Sequence, residues 1–103
     1  MSTADLVFVG FLRRVAALER NTGQIVWQWE ADKGRCYQTL LLDQGMLIVS
    51  VDGYMYGLEA STGRQLWFNE MKGFGSGVAS LASVNGSAQN VAASASATRA
   101  KSD

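Results

Sequence analysis

Short apolar runs alternate with turn-forming residues along most of this chain, and within each run the apolar side chains tend to fall on alternate positions. That period-two pattern predicts β-strands. Strands are expected at Leu6–Phe11, 15–19, Ile25–Glu30, Gln38–Asp43, Met46–Val51, Tyr54–Glu59, 65–70 and 78–84. In Ile25–Glu30 the alternation puts Trp27 and Trp29 on one face, with Val26 and Gln28 on the other. Between the runs stand Asn21, Thr22 and Gly23, then Gln44 and Gly45, Asp52 and Gly53, Thr62 and Gly63, and Asn85 and Gly86. These residues tolerate positive φ or bond their own backbone, so each group reads as a tight turn. The chain has no proline, as expected of a sequence made mostly of paired strands. The fold class is all-β. Residues 87–103 are mostly Ala and Ser and form a separate tail, expected to be disordered or a short helix. The domain organisation is therefore 1–86 and 87–103.

The strands come in a repeat. ALERNTGQIVW (17–27) returns forty residues later as GLEASTGRQLW (57–67), with Leu, Glu, Thr, Gly and Trp at matching offsets. LVFVG (6–10) lies opposite MLIVS (46–50) at the same spacing. A period near forty with four short strands per unit marks a radial β array. A single such unit cannot bury its own faces, so neighbours have to stack.

With its small opening residue, its Thr-Gly turn and its closing Trp, this motif resembles the tryptophan-docking repeat of the quinoprotein-like (PQQ-like) β-propellers. That family includes pyrroloquinoline-quinone (PQQ) dehydrogenases and an outer-membrane assembly lipoprotein of similar fold. The resemblance covers residues 6–84 and implies blades of four antiparallel strands, A to D from axis to rim, with the Trp on D. The chain then reads B-C-D, A-B-C-D, A. The resemblance also implies that each Trp lies flat against backbone of the neighbouring blade, beside the motif glycine, here Trp27 with Gly23 and Trp67 with Gly63. Ala17 and Gly57 would clear the space under the rings. One position departs from the family: the motif Asp is Glu19 in one repeat and Glu59 in the other.

The strand order has a consequence for assembly. The first blade lacks its inner strand and the last strand has no blade, so the two ends are complementary. A homo-oligomer is expected in which strand 78–84 completes the first blade of another copy. Four chains giving eight blades is the first choice, from the blade number usual in the family. Tyr54, Phe68, Phe74, Val78 and Leu81 are candidate interface residues, and Tyr56 serves equally as core.

Composition narrows the chemistry. Nine basic residues balance nine acidic ones, which gives no footprint for nucleic acid. There is no histidine, hence no imidazole base, shuttle or ligand and no Ser–His–Asp or Cys–His pair. The single cysteine, Cys36, excludes an internal disulfide or CxxC site and reads as a small core or interface residue. The dehydrogenases of the resembling family hold PQQ with a vicinal disulfide, a stacking Trp and a Ca²⁺ cluster of acids. This chain has one Cys, and Asp32, Asp43 and Asp52 are scattered in turns, so no catalytic residue, cofactor or metal is assigned. GFGSG (73–77) joins two strands and reads as a blade-to-blade crossover rather than a phosphate loop. Arg13, Arg14, Arg20, Lys33 and Arg35 make at most a modest basic patch.

No apolar run is long enough to span a membrane, and membrane insertion is not expected. The apolar segment 6–12 is too short for a secretory leader, with Asp5 before it and Arg13 and Arg14 after it. A cytoplasmic location is expected for the chain as given, or a periplasmic one if its true start lies upstream. Two functions follow. The first is a non-catalytic, self-assembling protein-binding scaffold with itself, and another protein, as partner. The second is a fragment of a larger PQQ-dependent dehydrogenase-like or outer-membrane-assembly-like propeller.

Overall fold

Period-two runs cut by turns leave the chain only one way to satisfy its backbone, which is to pair each strand with the next. The computed structural model describes residues 2–88. After a single 3-10 turn at Thr3–Asp5, the first sheet consists of β1 (Leu6–Phe11), β2 (Arg14–Glu19) and β3 (Ile25–Glu30) in that order. The second sheet has β4 (Gln38–Asp43), β5 (Met46–Val51), β6 (Tyr54–Glu59) and β7 (Gln65–Asn69). A third sheet is the hairpin β8 (Leu81–Ser83) and β9 (Gly86–Ala88). All pairs are antiparallel.

The forty-residue repeat is a structural repeat down to its irregularities. β1 pairs β2 in the register Leu6↔Glu19, and β5 pairs β6 as Met46↔Glu59. The register slips between Ala17 and Leu18 in one sheet and between Gly57 and Leu58 in the other, positions forty apart. The first two sheets are the expected B-C-D and A-B-C-D blades.

The end of the chain departs from expectation. The strand expected at 78–84 is only Leu81–Ser83. The glycine-rich crossover runs through Gly77, and the Thr39 hydroxyl donates to the Ala79 carbonyl at 3.0 Å, which ties that segment to β4 instead of to a ladder. The strand does not stand alone either. It turns at Val84 and Asn85 and returns as β9, giving the A and B strands of a third blade. Asn85 holds the turn in place by donating its side-chain N–H to Asp43 Oδ1 at 2.6 Å. β9 crosses the expected 86/87 boundary, so Ser87 and Ala88 belong to this hairpin, while 89–103 of the expected tail lie outside the described residues.

The core lies between the first and second sheets. Val15, Ala17 and Trp27 from the first meet Leu47, Val49, Val51, Tyr56 and Leu58 from the second, all buried. Phe8, Trp29, Leu40 and Tyr54 pack around this cluster. Burial at roughly 25 cal/mol per Å² of apolar surface makes stacking of blades, rather than any one blade, the main source of stability. Gln38 adds a polar tie: its side-chain amide donates to the carbonyls of Leu12 (3.1 Å) and Arg14 (2.9 Å) across the sheets.

Candidate functional site at the blade interface

The indole of Trp27 projects from β3 across to the second blade. There it lies on Gly63, in the turn between β6 and β7. A Cβ built on Gly63 would fall 2.5 Å from Cδ2 and Cε3 of the ring, so no larger residue fits without moving the ring. The Trp27 Nε1–H donates to the carbonyl of Ala60 at 2.9 Å, which satisfies the one polar group of a side chain that is 8% exposed. Under the ring on its own blade is Ala17, its cross-strand partner and fully buried.

This corrects the pairing expected within each motif. Trp27 does not lie on Gly23, and Trp67 does not lie on Gly63. The turn glycine of a repeat receives the Trp of the repeat before it, because an indole standing off one sheet reaches the adjacent blade and not the turn of its own hairpin. A Cβ on Gly23 meets nothing within 4 Å. Trp67 covers Gly57, its partner across β6 and β7, where a Cβ would run into the ring. Trp67 remains 38% exposed, against 8% for Trp27. Among the described residues no further blade turn lies against Trp67.

A second set of contacts locks the same interface. Trp29 meets Tyr56 edge-on with ring centroids 4.7 Å apart, and its Nε1–H donates to Gln65 Oε1 at 3.1 Å. The Tyr56 hydroxyl donates to the Lys33 carbonyl (2.7 Å) and accepts from the Lys33 N–H (2.8 Å), fixing the segment that links the blades. Burial raises the Tyr56 phenol above its ordinary range, and the bond to the Lys33 backbone opposes this in part. Neither Ala60 nor Lys33 stood out in the sequence, because each contributes only its backbone.

The other candidate residues divide between two places. Tyr54 stacks on Phe68 with centroids 6.3 Å apart and Phe68 packs on Tyr56, so these two serve the contact within the chain. Phe74, Val78 and buried Leu81 instead line the cleft that also holds Trp67 and Met55.

The turn carboxylates behave differently in the two repeats. Glu19 accepts from the Asn21 N–H through both oxygens, at 3.1 and 3.2 Å. Glu59 accepts from the Thr62 hydroxyl at 2.5 Å. Cys36 is exposed, a correction to its expected core or interface position. Its N–H and that of Arg35 donate to Asp52 Oδ2, at 3.2 and 2.7 Å. Arg13 pairs with Glu30 and Lys33 with Glu70, which breaks up any basic patch.

Among the described residues no group of three His, Cys, Asp or Glu could hold a metal. The residues do not fit PQQ: a vicinal disulfide has no second cysteine, and the Asp52 carboxylate is engaged by backbone N–H groups. No helix of the described residues is long and apolar enough to cross a membrane.

A protein-family model described as outer membrane protein assembly factor BamB matches residues 2–101. No curated protein matches. The family match overturns the expected cytoplasmic location, since BamB-type proteins are periplasmic and associated with the outer membrane.

Proposed function

The chain belongs to the outer membrane protein assembly factor BamB family, and from that premise we propose that it supplies propeller blades to a protein-binding scaffold for outer-membrane protein assembly. The observation that carries this reading is the family match over nearly the whole chain, combined with blades that stack through Trp27 on Gly63. Of the two functions expected from the sequence, the match favours the piece of an outer-membrane-assembly-like propeller over the free-standing scaffold. The residues serve packing: Trp27, Trp29, Gly63 and Tyr56 join the two blades, and Glu19, Glu59 and Asp52 bond turns. In the self-assembling reading copies of the chain complete the ring, four of them for eight blades as first choice, whereas in the favoured reading the rest of a larger propeller supplies the other blades.

The test is binding to the clients that an assembly factor must meet. The full chain is titrated with fluorescent peptides copied from transmembrane strands of outer-membrane β-barrels, and separately with PQQ and Ca²⁺. Saturable peptide binding without stoichiometric PQQ binding is expected. Tight PQQ–Ca²⁺ binding with no peptide binding would overturn the reading.

A further inference from the structure

Of the four asparagines in the chain only Asn85 is followed by glycine. Asn21 precedes Thr22, Asn69 precedes Glu70 and Asn90 precedes Val91. An asparagine side-chain amide can be attacked by the backbone nitrogen of the next residue. A glycine there leaves that nitrogen unshielded and its backbone free to turn toward the amide. The structure leaves this pair open to the attack. Asn85 is exposed in the turn between β8 and β9, and a Cβ built on Gly86 would meet nothing within 4 Å. Gly86 pairs with Ser83 beside the turn, so opening that one pair frees the nitrogen. Asn69 is held differently, its Oδ1 accepting from the Met71 N–H at 2.8 Å.

The same side chain carries a tertiary contact. Asn85 Nδ2–H donates to Asp43 Oδ1 at 2.6 Å, a short bond to a charged acceptor. It ties the β8–β9 turn to the end of β4. Near the other end of that strand the Thr39 hydroxyl donates to the Ala79 carbonyl at 3.0 Å. The hairpin is thus tied to β4 on both sides of buried Leu81. A carboxylate at position 85 has no N–H to give, and it repels the carboxylate of Asp43.

We propose that Asn85 is a site of spontaneous deamidation and that its conversion to a carboxylate unties the β8–β9 hairpin from β4. The Gly86 nitrogen attacks Asn85 Cγ, a C–N bond forms there, and the Cγ–Nδ2 bond breaks. Ammonia leaves with the proton that the Gly86 nitrogen gives up, and a cyclic succinimide remains. Water then adds to one of the ring carbonyls and opens the ring. Opening at Cγ gives aspartate. Opening at the main-chain carbonyl gives isoaspartate, whose backbone runs through the side-chain methylene. Either product replaces the amide donor by a carboxylate, and isoaspartate also lengthens the turn against the pairing of Ser83 with Gly86.

The full chain, incubated in warm and mildly alkaline buffer, tests the first half by peptide mapping in a mass spectrometer. Asn85 is expected to convert, with the mass gain of exchanging NH2 for OH, well before Asn21, Asn69 or Asn90. Gly86→Ala is expected to slow the conversion several-fold without straining the chain, since Gly86 is outside the left-handed region and the new methyl meets nothing. Amide hydrogen exchange tests the second half. The Leu81–Ser83 amides are expected to exchange several-fold faster in Asn85→Asp than in the wild type. Adding Asp43→Asn to Asn85→Asp swaps donor and acceptor and is expected to restore the wild-type rate. An Asn85 that stays intact or converts no sooner than the other asparagines would overturn the proposal. So would a Gly86→Ala chain that converts as fast as the wild type, unchanged exchange in Asn85→Asp, or a swapped pair that fails to restore it.

Discussion

Trp27 and Gly63 stand thirty-six residues apart in sequence and in contact in space, ring plane on bare backbone. The contact works because one partner has a large flat surface and the other has no side chain. Trp27→Ala is expected to cost about 3–5 kcal/mol, as for large aromatic deletions in cores. Trp67→Ala should cost less by about 1 kcal/mol or more, because that ring is part exposed in a single chain. Urea unfolding of both variants in dilute solution checks the order.

Gly23 and Gly63 form a natural control pair. Their backbones are alike, so Ala at either carries the same left-handed strain of roughly 1–2 kcal/mol. Only at Gly63 does the new methyl meet an indole. Gly63→Ala is expected to exceed Gly23→Ala by about 1–3 kcal/mol, the usual range for overpacking. Equal losses in dilute solution would mean that the ring does not lie on Gly63.

Tyr56 gives the interface an alkaline limit. Burial raises its phenol above the ordinary value of 10.0. The neutral form is thus favoured by the folded state. Its contribution is complete below the unfolded value near 10.0 and is lost as pH rises through the folded one. Thermal unfolding should show a fall in midpoint above about pH 10 that is smaller in Tyr56→Phe. At neutral pH the same variant should lose about 1–3 kcal/mol, because both Lys33 backbone groups lose their partner.

Asp52 joins the β5–β6 turn to the segment before β4, accepting two N–H groups through one oxygen. Asp52→Ala is expected to lose about 1–2 kcal/mol and Asp52→Asn less, since Asn keeps an acceptor oxygen and the positive φ of 55°. Denaturant midpoints of the two variants decide this.

Much of the fold was legible because alternation and turn chemistry act locally. Tyr54–Glu59 and Met46–Val51 are largely apolar runs set between the turn residues Gln44–Gly45, Asp52–Gly53 and Thr62–Gly63. Tertiary pairing was less legible. The repeat named Trp27, Trp67, Gly23 and Gly63 as docking residues but not which ring meets which glycine, since a motif read along one chain says nothing about the direction of stacking. The β8–β9 hairpin was missed because Ser87 and Ala88 have low strand propensity, and the return strand is set by pairing to β8. Ala60 and Lys33 act through backbone atoms, which a side-chain pattern does not mark.

The central claim is that the Trp of one blade lies on the turn glycine of the next, and ring-current shifts test it most directly. In the proton NMR spectrum of the full chain, the Gly63 Hα resonances are expected well upfield of ordinary glycine positions. They should return to ordinary positions in Trp27→Leu and stay in place in Trp67→Leu. Gly63 Hα resonances at ordinary positions in the wild type, or shifted ones that respond to Trp67→Leu instead of Trp27→Leu, would contradict it.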